Sequence, residues 1–440
     1  MVTIFFLRVT MSFSRARVAG TVADRAMRPC LFYGWWIVAA CLVSGTVANG
    51  FGLYGAGVYL HTVTAVMGWS VGLVSGGITV FYVVSALLLT SVGVGVSRFG
   101  PRPVVGLGAL ALAAGVAGIG QASQPWQVYT AFVVMGVGWS CLSMTAITAT
   151  LAPWFDRHYG RAVSIASLGA SIGGMIGPPV LVLGIARISF LATTMAASVL
   201  TVVALLPLAW FVLRRRPQDM GLLPDGAPSH ATASAAGTHH CWKRLKALRT
   251  AALGSVVASF GIGMMVQIGF LTQQVALITS SLSAPGAAAV VSTTAAAALV
   301  GRLGLARFAD RINARNATAA VLLLAAAALG ALALFPVPAV LVGASMAYGL
   351  TVGNVTILSP IIVRREFGAA SFGAVYGVAS TGIQLVAAMG PGFYGLLHDA
   401  SGGYGLPLLS AAVLDVLAAG LVVLGGRKPL TSPKSPGTTP

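Results

Sequence analysis

Apolar runs of about 20 residues, recurring along nearly the whole chain, constrain this sequence more than any other feature. A helix needs about 20 residues to cross the hydrocarbon layer of a bilayer. Inside lipid the backbone must satisfy its own hydrogen bonds, which restricts such runs to helices. Six runs fall in the first half, at about 34–58, 70–94, 103–121, 126–151, 161–184 and 189–213. Six more follow at about 251–273, 286–308, 317–335, 338–362, 371–396 and 406–425. The expected fold is an all-α membrane protein with twelve transmembrane helices. Composition agrees: 57% of the residues are hydrophobic and only 8% are charged, against about 25% charged in soluble domains.

The net charge of +18 is spread between the spans rather than gathered on one domain, so it reads as topology and not as a nucleic-acid footprint. The connections after even-numbered spans carry Arg98 and Arg102, Arg157 and Arg161, and Arg214–Arg216 with Lys243, Arg244, Lys246 and Arg249. Further along come Arg307, Arg311 and Arg315, then Arg364 and Arg365, and finally Arg427 and Lys428. The opposite connections carry Arg187. The positive-inside rule therefore places both termini and the central connection in the cytoplasm of a multi-pass protein of the plasma membrane, the inner membrane in a bacterium.

Five segments are expected. Residues 1–31 form a cytosolic extension, in which Met11 or Met27 are alternative starts, and they lack the h-region and cleavage site of a signal peptide. A six-helix bundle over 32–213 precedes a polar linker at 214–250, in which Lys243–Arg249 suits a short surface helix. A second bundle covers 251–428, and a tail follows at 429–440. Cys30, Cys41, Cys141 and Cys241 have neither metal-site nor disulfide-frame spacing. No nucleophile elbow, Walker sequence or zinc-type histidine pair is present, and His239-His240 stands alone in the linker. No enzyme activity and no cofactor are expected, so transport would draw on ion or substrate gradients.

The two halves echo each other. Gly93-Val-Gly-Val-Ser-Arg98-Phe-Gly100-Pro-Arg102 follows the second run, and Ala306-Arg-Phe-Ala-Asp310-Arg311-Ile-Asn-Ala-Arg315 follows the eighth. The fifth run holds Gly169, Gly173, Gly177, Pro178 and Pro179; the eleventh holds Gly382, Gly390, Pro391, Gly392 and Gly395. Repetition six spans apart implies two pseudo-symmetric six-helix bundles, an architecture that binds substrate near the midplane and alternates its exposure.

With these motifs the chain resembles the major facilitator superfamily, whose basic loop motif reads G-x-x-x-D-R-x-G-R and whose antiporters share a glycine–proline fifth helix. Within it, shorter strings resemble the monocarboxylate transporter and oxalate–formate antiporter branch. They are Tyr33-Gly-Trp-Trp36, Arg215-Arg-Pro-Gln-Asp-Met-Gly221 with Pro224-Asp-Gly226, Gly301-Arg302, and Gly390-Pro391 through His398-Asp399 to Tyr404. Departures accompany the matches. Ser97 stands at the acid position of the first loop motif, Ala298 where that branch has a helix-eight acid, and Tyr54 where it has a first-helix lysine. Ser380-Thr-Gly-Ile-Gln384 occupies the region of the eleventh-helix lysine of oxalate–formate relatives.

Arg302 is the only basic residue well inside an apolar run. Asp310 lies eight residues on, about 12 Å along a helix, and no acid stands three or four residues away to neutralise the guanidinium. Such a cation costs about 2.5–3.5 kcal/mol on insertion scales and normally faces a cavity or a partner. It reads as the counter-ion of an anionic substrate that it clamps in two-pronged fashion; the alternative is an arginine snorkelling to the surface. Asn49, Tyr54, Tyr129, Ser143, Gln267, Tyr348 and Asn354 are candidate hydrogen-bonding partners for that substrate, or else bonds between helices. Arg98, Gly100, Arg102, Asp310, Arg311 and Arg315, with Gly173, Gly177 and Pro178, are candidate gating residues; Asp310 would cap a helix or pair with Arg311 or Arg365. The alternative for the glycines is ordinary helix packing. Asp415, the only acid deep in a run, is a proton-coupling candidate or a protonated or hydrogen-bonded structural residue. The expected function is secondary transport of a small organic anion, most simply a monocarboxylate, by alternating access with proton symport. Efflux of a hydrophobic or drug-like compound and a non-transporting membrane sensor are the alternatives. The expected partners are that anion, protons and the lipid bilayer, with no nucleic acid, and the expected state is a monomer.

Overall fold

The computed structural model describes residues 32–156, 158–213, 250–279, 281–308, 313–367 and 369–426. Ten helices among them are long and apolar enough to cross a membrane. In chain order, spans 1 to 6 are Gly34–Met67, Val71–Phe99, Pro101–Gln121, Pro125–Leu151, Tyr159–Arg187 and Phe190–Val212. Spans 7, 8, 9 and 12 are Ala251–Thr279, Ala284–Phe308, Ala314–Leu334 and Gly405–Leu424. The other two crossings are broken helix pairs: span 10 is Pro338–Thr351 with Asn354–Phe367, and span 11 is Ala369–Ala388 with Gly390–Ser401. The first and seventh spans run further than the apolar runs at 34–58 and 251–273, and they take in Thr62 and Gln274, which are buried within the bundle.

Packing repeats between the halves. Span 1 packs on span 5 as span 7 does on span 11; span 2 packs on span 4 as span 8 does on span 10; span 3 touches spans 4 and 6 as span 9 touches spans 10 and 12. The contacts between halves are paired as well, span 8 with span 5 and span 11 with span 2. The chain is therefore an all-α membrane protein built from two pseudo-symmetric sets of helices. Large apolar side chains such as Val199, Val203 and Phe211 stay exposed on the outer faces, where lipid replaces water as their solvent.

Small residues set the closest approaches. Gly173 and Gly177 of span 5 lie directly on the span 1 backbone from Thr46 to Gly50, so a methyl group at either would collide with main-chain atoms. Gly390 of span 11 lies in the same way on Met265 and Gly269 of span 7. The glycine run of span 5 thus seats span 1 within its own half. Pro178 lies within that helix one residue beyond Gly177.

Candidate functional site

Where spans 5 and 1 touch, the first span is underwound into a π-turn at Ala48–Leu53, closed by the Tyr54 amide donating to the Asn49 carbonyl at 2.9 Å. Such bulges re-aim side chains and concentrate at functional sites. Here the turn delivers Tyr54 towards span 8. Its ring lies on Gly174 of span 5, beside Ala295 of span 8, and its hydroxyl is within electrostatic reach of Arg302. Span 10 breaks opposite. Gly353 adopts a φ of 87°, and the Arg302 guanidinium rests directly on it, filling the space a side chain would take.

Arg302 is half-buried and, among the described residues, its Nε has no hydrogen-bond partner. Two further donors nearby are in the same condition. The hydroxyl of Tyr82 (span 2) and the indole N–H of Trp139 (span 4) are buried with no partner among the described residues. Tyr82 interacts electrostatically with Tyr54, Trp139 packs on Gly52 of the π-turn, and the Tyr82 and Trp139 rings are 6.2 Å apart edge to face. Phe81 completes this aromatic group, 4.7 Å from Tyr82 and 5.9 Å from Trp139. Tyr54, Tyr82, Trp139, Gly174 and Gly353 all lie close to the middle of their spans, so the cluster sits near the midplane.

The other residues singled out from sequence fall into distinct settings. Asn354 follows Gly353; its amide donates to the Leu350 carbonyl at 2.8 Å, and its buried Oδ1 is unpartnered among the described residues. Asn49 donates to Gly45 within span 1. Ser143 opens the second half of span 4, buried and without a partner for its hydroxyl among the described residues. Gln267 is buried on span 7. Tyr129 is not brought to Arg302: its hydroxyl donates to the Leu73 carbonyl at 3.0 Å, about 13 Å along span 2 from Tyr82. Tyr348 packs at 4.4 Å on Phe270 in the core of the second half, beside Asp415 and Tyr394 rather than in the cluster. Asp415 is 1% exposed, and neither carboxylate oxygen has a hydrogen-bond partner among the described residues.

The candidate gating residues divide likewise. Asp310 and Arg311 lie outside the described residues, as does the segment Lys243–Arg249. Arg98 is exposed beside Phe99, and Arg102 stacks at 3.5 Å on Trp210 of span 6 in its own half. Gly100, with a φ of 86°, makes the sharp turn from span 2 into Pro101 of span 3. Arg315 is 7% exposed and holds Glu366 with both carboxylate oxygens, at 2.6 and 2.9 Å, while donating to Ser255 and the Val422 carbonyl. It binds spans 7, 9, 10 and 12 to one another, a role within one half.

The halves are tied together at the end remote from these basic loops, by residues that sequence reading did not single out as a gate. Asp399 of span 11 accepts from the Gly72 amide at 2.9 Å, beside Ser70, which accepts from Leu73 at the start of span 2. Gln273 of span 7 donates to Ser75 of span 2 at 2.8 Å and accepts from Tyr404 at 3.1 Å. Burial, and then the Asp399 carboxylate, push the Tyr404 phenol up, which keeps it a donor. The Gly392 amide donates to Thr79 at 2.8 Å. A carboxylate on a helix N-terminus contributes about 0.3–1 kcal/mol, rising to about 2 kcal/mol where partly buried. Asp399→Ala should therefore shift the balance towards opening at this end by about tenfold, read as faster alkylation of a cysteine placed at Ser75. Unchanged reactivity would show that Asp399 does not hold the seal.

A model of the Major Facilitator Superfamily matches residues 42–391. The agnestins efflux protein of Paecilomyces divaricatus is 26% identical over 327 residues, which span 72% of this chain and 70% of that protein. The 2-nitroimidazole transporter of Escherichia coli (strain K12) is 34% identical over 101 residues, 23% of this chain and 26% of its own length. Among solved structures, a bacterial homologue of the human lysosomal transporter Spinster, captured inward-facing and unoccupied, superposes with a TM-score of 0.71. It is 13% identical in sequence and covers 94% of this chain and all of its own.

Proposed function

This chain belongs to the Major Facilitator Superfamily, and from that premise we propose that it carries a small organic anion, in the simplest case a monocarboxylate, by alternating access. It is a multi-pass membrane transporter of a small molecule. The observation that carries the anion reading is Arg302, near the midplane with an unpartnered Nε and no fixed acid among its described neighbours. A half-buried guanidinium in that state is stabilised by an incoming carboxylate, which can accept two parallel hydrogen bonds. Gly301-Arg302 also supports a place beside the monocarboxylate branch.

With both termini cytoplasmic, as the basic loops favour, the Asp399–Gly72 and Gln273–Ser75 ties form an outer seal and substrate reaches Arg302 from the cytoplasmic side. The seal parts and the opposite ends close as bundle 32–213 rocks against bundle 251–428, with 214–250 as the cytoplasmic linker. Both steps draw on the pseudo-symmetric contacts of span 2 with 11 and span 5 with 8.

Proton coupling is assigned to Asp415. An ionised carboxylate at 1% exposure with no hydrogen bond is costly, and the groups facing it are the phenols of Tyr348 and Tyr394, the latter also unpartnered among the described residues. Proteoliposomes given labelled monocarboxylates under an imposed proton gradient test both assignments. Uptake is expected to be saturable and driven by the gradient, and Asp415→Asn is expected to keep exchange of labelled for unlabelled substrate while losing the gradient's effect. Absence of carboxylate transport would remove the anion reading, and full proton drive in Asp415→Asn would remove the coupling role.

A second reading, efflux of a hydrophobic or drug-like compound, is supported by two relatives, one named an efflux protein and the other a 2-nitroimidazole transporter. It expects export that is indifferent to Arg302.

A further inference from the structure

The geometry points to an aromatic carboxylate as the substrate class, with its carboxylate on Arg302 and its ring against Tyr82 and Trp139. This inference rests on the anion reading above and narrows it. The first ground is hydrogen-bond character. An indole N–H and a guanidinium only donate, and the Tyr82 hydroxyl can donate; Tyr82 and Trp139 adjoin, Tyr54 links them electrostatically to Arg302, and each of the three has a buried polar atom with no hydrogen-bond partner among the described residues. Buried polar groups are almost always satisfied, and a carboxylate, which supplies acceptors on both oxygens, suits a group of donors.

The second ground is the wall. Phe81, Tyr82 and Trp139 meet edge to face with interplanar angles of 61–75°. Phe81 is fully enclosed, whereas Trp139 and Arg302 are only half-buried. A flat ring entering beside Trp139 extends the edge-to-face pattern, in which aromatic pairs gain beyond simple burial. The third ground is that the site's own large groups are fixed in place: Trp139 is seated on Gly52, Tyr54 on Gly174 and Arg302 on Gly353, where each fills the room a side chain would take.

The test uses the purified full chain and thermal-shift titration with benzoate, cyclohexanecarboxylate, lactate and benzamide. Benzoate and cyclohexanecarboxylate share charge and approximate size but differ in planarity; benzamide keeps the ring without the charge. Benzoate is expected to bind about tenfold more tightly than cyclohexanecarboxylate, the gain of one or two good aromatic contacts. Trp139→Leu should reduce that ratio to about one. Should Trp139→Leu fail to fold, Trp139→Phe and Tyr82→Phe keep the rings and remove the donors, and each should weaken benzoate several-fold. If lactate and cyclohexanecarboxylate bind as well as benzoate and all three depend on Arg302, the aromatic inference is overturned while the anion reading stands. If no acid binds, or benzamide equals benzoate and Arg302→Leu changes nothing, both fall.

Discussion

Arg302→Leu should abolish carboxylate uptake while leaving the substrate-free protein as stable as the parent or more so. The two effects have one physical origin. Without an anion the half-buried guanidinium is partly stripped of water, its Nε against Gly353 with no hydrogen-bond partner among the described residues, and this costs folding free energy that leucine does not incur. With an anion bound, the same group makes a desolvated, charge-assisted pair, and truncating one partner of such a pair costs about 2–5 kcal/mol. Uptake efficiency at low substrate should thus fall by about a hundredfold or more. Arg302→Lys keeps the charge but loses the planar fork, and should retain a measurable fraction of uptake. Initial rates in proteoliposomes and melting curves in detergent supply the two readouts. A loss of stability in Arg302→Leu would identify the arginine as a structural element, and unimpaired uptake would remove the anion clamp altogether.

Arg315→Ala should do the reverse, lowering stability steeply while sparing recognition. Its guanidinium joins Glu366, Ser255 and the Val422 carbonyl, so its removal strands a carboxylate and a carbonyl in one step. Breaking a buried pair from one side costs about 3–5 kcal/mol. The Glu366 side chain is 24% exposed and recovers some hydration, which places the expected loss at the lower end of that range. Arg315→Met combined with Glu366→Leu should restore much of the stability, because no charge is then left unpaired. Melting temperature and yield of monodisperse protein report the loss. Substrate affinity of the folded fraction should stay unchanged; a selective change in transport with normal melting would return Arg315 to the gate.

These two arginines show what can be read along the chain and what cannot. Nothing in the sequence distinguishes them by residue type, and the basic-loop resemblance groups Arg315 with the gating positions. Its partner stands 51 residues away at the end of span 10. Arg302 was legible because helix geometry limits local partners to residues three or four positions off, and none of those is acidic. Tyr82 and Trp139 escaped the sequence reading, since an aromatic residue in an apolar run ordinarily faces lipid or packs in the core. One signal was available: both lie mid-span, away from the interfacial belts where membrane tyrosines and tryptophans concentrate.

Sequence alone determined the number and type of spans, the repeat of six, and the isolated cation in span 8. All three follow from interactions within a helix or between a helix and its solvent, for which spacing and hydropathy are sufficient. Tertiary structure decided which polar groups meet. Tyr54 comes within electrostatic reach of Arg302 where a π-turn re-aims the first span, Arg302 settles on a glycine at the break of span 10, and Asp399 caps a helix through Gly72, 327 residues earlier. Those meetings depend on the relative placement of helices that share no local sequence signal, and in a membrane that placement is governed by close packing of small residues and by the few hydrogen bonds between spans.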